Sequence, residues 1–251
     1  MEKRNVWIEK QNEMRLQMLS STLFMKNLLK IDQVKYVAGV DISFFPPSKM
    51  TKYKAVGYII VMKISDMSVV YGDYEMIEQF DCPYIPGLLG FREVPTYLRL
   101  IERIRKTKKE YLPDVILVDG CGEWHPRRFG CACHLGFLSK IPTIGVSKKL
   151  LDADDINREE IENNLQKAFL YENTKSGNSN NIVRVDIKGK SNVLLGSILG
   201  GLNRKRIYVS IGYLIDLDNA VKIVEICQKY RIPEPIRLSD LRSREIIRSW
   251  I

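Results

Sequence analysis

A chain of 251 residues that is 45% hydrophobic has room for one large α/β domain, or two small ones, around a sizeable core. Thirty-nine Lys and Arg against thirty Asp and Glu leave +9, which favours polyanionic partners, and no apolar run approaches the ~20 residues of a membrane span. The opening residues carry Glu2, Lys3, Arg4, Glu9 and Glu13 rather than an apolar signal region, and the five cysteines are an odd number, so the composition points to a cytosolic or nuclear protein in a reducing compartment.

Residues 1 to 30 read as a helical prelude whose stripe of Trp7, Gln11, Met14 and Met18 packs against the core and needs no catalytic role. Residues 35–44, 53–64 and 67–80 are rich in Val, Ile, Tyr and Phe and predict three successive strands in a meander. Asp41 lies inside the first of them, YVAGVDISF, on one face with Val37, Gly39 and Ser43, and the small Gly39 is expected to leave room for a ligand or ion. A Pro and Gly punctuated loop, CPYIPGLLG, leads to Glu93 and a helix over 92–110, where the run RKTKK is a solvated end favoured by the helix dipole.

DVILVDG is a continuous apolar run, as expected of a central strand covered on both faces, and it closes on Asp119 at its carboxyl end. A short helical crossover over 128–139 and a second apolar strand, TIGVSK, predict a parallel pair with a right-handed connection. Cys121, Cys131 and Cys133 lie near His125 and His134, but the spacing is not that of a zinc knuckle, and reduced, partly buried thiols with His134 in the core are the better reading. Residues 152–192 read as a charged helix followed by a polar flexible loop at 172–181. NVLLGSILG and RIYVSIGYLI resume as strands, followed by a helix from Asp218 to about Tyr230 and a last helix opened by Ser239 and Asp240.

A meander followed by alternating helix and strand is the element order of a ribonuclease-H-like fold, an α/β domain with a central mixed sheet flanked by helices, here one domain over 1–251. That layout makes the first strand and the central parallel strand neighbours, so Asp41 and Asp119 approach each other while Glu93 enters from the flanking loop and helix. A merely polar group without a partner costs roughly 2–7 kcal/mol in apolar surroundings, and a carboxylate costs more. Carboxylates converging at strand ends are the usual seat of magnesium or manganese. Together with the basic balance they point to metal-assisted cleavage of a nucleic acid.

GVDISF, PYIPGLLGFREVP, DGCGEWHPRRFGCACHLG, IGVSKK and RIPEPIRLSD, in this order, resemble the endonuclease V family, whose members cleave nucleic acids near inosine. The resemblance runs from about residue 5 to the C-terminus and is weakest in the first thirty residues and in 152–192. It implies Mg2+, with Mn2+ as a substitute, held by Asp41 and Asp119 and completed by Glu93 directly or through water. Lys148 is implied to hold the scissile phosphate or orient the attacking water, and Asp240 stands where members carry an acid or imidazole near the metal. The implied reaction cuts the second bond 3′ to inosine in single-stranded RNA or in deoxyinosine-containing DNA, with RNA the first choice. The chain is expected to act as a monomer away from membranes, and a general ribonuclease-H-like nuclease is the competing enzyme class.

Pro83 and Pro86 fix the backbone so that Tyr84 and Ile85 project as an apolar wedge able to stack on or replace a base. A base pushed from its stack needs a pocket. The family's pocket reads hypoxanthine largely through main-chain groups, and the matching positions are Gly87, Leu89, Gly120, Gly122, Gly130 and Cys131. His125, Pro126 and Arg127 are expected along the strand near the cleaved bond.

Overall fold

The computed structural model of the chain describes residues 2–21, 28–48, 51–176, 182–201 and 204–250. Helix α1 (Glu2–Ser20) presses Gln11, Met14 and Met18 inward, and Trp7 stacks on Phe91 with ring centroids 6.2 Å apart. The helical prelude expected to residue 30 therefore stops at Ser20 among the described residues, and Leu29 instead makes a parallel bridge to Ile215. Strands β1 (Tyr36–Phe44), β2 (Ala55–Lys63) and β3 (Val69–Ile77) form the expected antiparallel meander.

Helix α2 (Leu89–Thr107) starts three residues earlier than expected, so Glu93 lies in its second turn and not at its start. Strand β4 (Val115–Asp119), helix α3 (Cys131–Ser139) and strand β5 (Thr143–Ser147) follow as the parallel unit read from the sequence. Next come helix α4 (Arg158–Ser176), strands β6 (Val183–Lys188), β7 (Leu194–Gly201) and β8 (Arg204–Tyr213), helix α5 (Leu217–Cys227) and helix α6 (Glu234–Ser249). The loop expected over 172–181 is helical through Ser176, and 177–181 lie outside the described residues. Strand β6 is an element that the sequence reading missed. Its alternating pattern VRVDIK pairs only with β7 at the sheet edge, so one face stays polar.

The sheet runs β3-β2-β1-β4-β5-β8-β7-β6, with β1, β4 and β5 mutually parallel at its centre. This mixed sheet, with helices on both faces, is the ribonuclease-H-like arrangement. One face carries Ala38, Val40, Ile116 and Val118 against Val94, Tyr97, Leu100 and Ile101 of α2 and Leu135 of α3. The other carries Val37, Leu117, Ile144 and Val209 against Val221 and Val224 of α5 and Ile236 of α6. Full burial of the VILV and TIGV segments follows from that double cover.

Two expectations about this second face are corrected. A Cβ on Gly39 would stand 2.1 Å from the Pro235 carbonyl carbon, so the glycine admits the start of α6 and leaves no space for an ion. Helix α6 begins at Glu234 because Pro233 and Pro235 occupy its cap and first turn, where a missing N–H costs nothing. Ser239 and Asp240 therefore lie within the helix, where Ser239 Oγ donates to Gly39 O at 2.8 Å and Ser243 Oγ to Ser43 Oγ at 2.7 Å. Those bonds pin α6 to β1.

Candidate active site

The parallel register pairs Val40 with Val118, so Asp41, within β1, and Asp119, at the carboxyl end of β4, sit side by side one residue further on. Adjacent strands lie about 5 Å apart, close enough for two carboxylates to share a cation. Asp240 reaches the same place from α6, and the three acids border an open cleft of about 550 Å³ together with Ser43, Lys148, Arg244 and Arg248. Two of the acids are paired within the protein: Lys148 Nζ is bonded to Asp119, and Arg244 Nε donates to Asp240 at 2.7 Å. Burial opposes the Lys148 charge, but Asp119 overrides it and holds the ammonium above the ordinary lysine value.

The Asp41 carboxylate receives no hydrogen bond among the described residues. Burial, reinforced by the charges of Asp119 and Asp240, pushes its pKa up to about 8. Glu93 comes from the α2 side of the sheet, where burial and then Asp119 raise it to about 7, and among the described residues its carboxylate has only the distant Tyr97 hydroxyl (3.5 Å) and Cys131 thiol (3.9 Å) as donors. Crowded, under-bonded carboxylates of this kind fit a hard divalent cation. Among the described residues no three His, Cys, Asp or Glu side chains are already drawn into a closed cage. The set instead suits a cation that keeps water and takes its remaining oxygens from a substrate phosphate.

Beside the cleft lies a cavity of about 440 Å³, lined by Tyr84, Pro86, Gly87, Leu89, Glu93, Asp119, Gly120, Gly130 and Cys131 among others. Asp119 borders both spaces. The wedge stands at the rim, with Tyr84 65% exposed, and its base is tied down by Arg92, which donates to Cys82 O at 3.3 Å and lies 3.9 Å over the Phe80 ring. Gly87 has φ +79°, a left-handed conformation that favours glycine. Gly122 does not reach the cavity lining, contrary to its expected place there. A Cβ on it would meet Ile211 O at 2.0 Å, and its N–H donates to Ser210 Oγ at 2.8 Å, so it seats the loop on β8.

His125 and Arg127 were expected beside the cleaved bond, yet both turn towards Gly87. Its carbonyl accepts from Arg127 Nη2 at 2.6 Å, His125 Nε2 at 3.0 Å and Gln11 Nε2 at 3.2 Å. Arg127 N–H donates to His125 Nδ1 at 3.1 Å, which fixes the proton on Nε2. Burial, then the Arg127 charge, lowers the His125 pKa to about 4, so the ring is a neutral donor that shapes the pocket. His134 is likewise held neutral, near 4, by burial, and packs edge-on to Phe91.

The sequence reading missed the part played by α1. Gln11 lines the cavity, donates to Phe129 O at 2.6 Å and accepts from Arg127 Nε at 2.5 Å. A signal was available, because a glutamine on an otherwise apolar stripe must be satisfied by something it buries against. Ser147 at the end of β5, and Leu150 and Leu151 after it, also border the cavity. All five cysteines are free thiols; burial raises the pKa of Cys131 and Cys133, and pushes that of Cys121 up to about 11.

Residues 17–241 match the family model for Endonuclease V. The chain is 40% identical over 214 residues to endonuclease V of Mus musculus, a match covering 84% of this chain and 60% of that protein's length. The crystal structure of the catalytic domain of human endonuclease V superposes with a TM-score of 0.81 at 30% identity, covering 99% of this chain and 97% of that one. The Ciona intestinalis enzyme, crystallised with a 24mer DNA containing an inosine followed by a ribo-adenosine, superposes over the full length of both chains with a TM-score of 0.83 at 31% identity.

Proposed function

The chain belongs to the endonuclease V family, nucleases that depend in general on a divalent metal, and we propose that it is a Mg2+-dependent endonuclease that cuts the second phosphodiester bond 3′ to inosine in single-stranded RNA, leaving 5′-phosphate and 3′-hydroxyl ends. The observation that carries this reading is the placing of Asp119 on the wall shared by the acidic cleft and the glycine-lined cavity. That wall joins recognition to chemistry. A ribonuclease-H-like enzyme of general specificity has use for the acids but none for the cavity or the exposed Tyr84.

Asp41 and Asp119 would hold the metal, with Glu93 completing the acidic set directly or through water. The bound ion would supply an activated water and neutralise charge on the leaving 3′ oxygen. Lys148, exposed and charged beside Asp119, holds a non-bridging phosphate oxygen, and Asp240 sets the position of Arg244 along the same cleft. Tyr84 and Ile85 enter the stack while the displaced base takes the cavity between Gly87, Leu89, Gly120, Gly130 and Cys131. His125, Arg127 and Gln11 hold Gly87 in place. A pocket closed around N1–H and O6 has no room for the 2-amino group that separates guanine from hypoxanthine.

A second reading takes deoxyinosine in DNA as the substrate, favoured by the DNA bound to the Ciona enzyme. The ribonucleotide that follows inosine in that ligand supports the RNA reading, since a 2′-hydroxyl is a group that distinguishes the two polymers. Matched single-stranded RNA and DNA oligomers, each with inosine or guanosine at one position, incubated with Mg2+ and then with chelator, decide the matter. Metal-dependent cutting of inosine RNA ahead of inosine DNA is expected; equal cutting of the guanosine controls removes the pocket assignment.

A further inference from the structure

A separate groove of about 330 Å³ opens where β7 and β8 meet the segment after α5, bounded by Gly200, Lys205, Gln228, Lys229, Tyr230 and Arg231. It is joined to the cleft through the backbone of Lys148, because Arg231 Nη2 donates to Lys148 O at 2.8 Å and to Arg206 O at 2.9 Å. Tyr230 is 54% exposed, and two cations flank its ring, Arg237 at 4.9 Å and Lys229 at 5.9 Å from the centroid. Arg237 is paired with Glu234 at 2.6 Å, whereas among the described residues no carboxylate pairs with Lys205 or Lys229. An exposed ring beside the unpaired Lys229, in a groove that Lys205 also lines, is a combination that holds single-stranded nucleic acid, with bases stacked on the aromatic and phosphates on the cations.

We propose that this groove binds the substrate strand on the 3′ side of the cleaved bond, with a base stacked on Tyr230 and phosphates held by Lys205 and Lys229. The inference rests on the reading above, in which the strand runs from the base cavity, with its inosine, through the acidic cleft in the 3′ direction. Lys148 borders that cleft, and Arg231, bonded to the Lys148 carbonyl, carries the path onward into the groove. Tyr230 and the two lysines take no part in the acid cluster, so their contribution is to binding of the flank and not to bond cleavage.

Inosine RNAs that end two nucleotides past the cleaved bond are compared with RNAs extended by about eight nucleotides on the 3′ side or on the 5′ side. Binding is read by fluorescence anisotropy without metal and cutting by single turnover in Mg2+, for the wild type, Tyr230→Ala and the double variant Lys205→Glu/Lys229→Glu, with thermal melts to confirm that each folds. The wild type is expected to bind the 3′-extended RNA about tenfold more tightly than the short one. Both variants should lose that gain while cutting the short RNA at the wild-type rate. No gain on 3′ extension, a gain confined to the 5′ extension, or a 3′ gain that survives both variants overturns the proposal. Guanosine versions separate the two readings: a 3′ gain that depends on Tyr230 persists in them even if discrimination for inosine fails.

Discussion

Asp41 bears the electrostatic cost of the site, because Lys148 is bonded to Asp119 and Arg244 to Asp240, while Asp41 has no such partner. Its folded-state pKa near 8 lies above the unfolded carboxyl, so between about pH 4 and pH 8 the native protein holds a proton that the unfolded chain has released. Stability from this group is present at low pH and is lost as pH rises through that window. Asp41→Asn is therefore expected to stabilise the metal-free protein at pH 8, by on the order of 5 kcal/mol, and to have little effect at pH 4. Thermal melts at the two pH values measure the difference, and a variant less stable than wild type at pH 8 contradicts it. With Asp41 as a ligand of the proposed ion, Mg2+ should raise the melting temperature of the wild type and not of the variant. Asp119→Ala should reduce single-turnover cleavage by at least about a thousandfold, while binding of inosine RNA stays within a few fold of wild type.

Elements place these residues, and two of the placements depend on side chains far away in sequence. Helix α6 lies on β1 because Gly39 has no Cβ to strike Pro235, so Gly39→Ala forces the helix outward and carries Asp240 with it. Overpacking against main-chain atoms predicts a loss of about 1–3 kcal/mol, read as a lower melting temperature together with slower cutting. Helix α1 closes the base cavity through Gln11, and Gln11→Ala strips Phe129 O and Arg127 Nε of a buried partner. A rise in KM of about tenfold with kcat nearly unchanged is expected, because the loosened Gly87 carbonyl borders the cavity proposed for recognition and not the acidic cleft. The central strands were legible because a strand covered on both faces must be apolar throughout, as VILV and TIGV are. Asp41 and Asp119 stood out against that background. Strand β6 was not legible, since at a sheet edge VRVDIK buries only half of itself and follows a polar stretch. The start of α6 was placed too late because Ser239 and Asp240 are residue types that favour a helix cap, whereas the prolines of RIPEPIR fill that role. The contact of Gln11 with Phe129 spans 118 residues, and no local pattern announces it.

At the scale of the whole molecule, the net charge of +9 and the cavity proposed for the base divide affinity from specificity. Lys and Arg contacts to phosphate release counterions, a process indifferent to the base, whereas His125 and His134 beside the cavity are held neutral and contribute no charge to choosing it. Both oligomers should therefore weaken together as salt rises. With about five phosphates neutralised on a single strand, a change from 50 to 200 mM salt lowers affinity by about a hundredfold. The ratio of inosine to guanosine affinity should stay constant within about twofold, because the group that separates the two purines is uncharged. Anisotropy titrations across that range, without metal, read both quantities at once. A ratio that collapses with salt would place inosine recognition on the basic surface and take it away from the cavity beside Asp119.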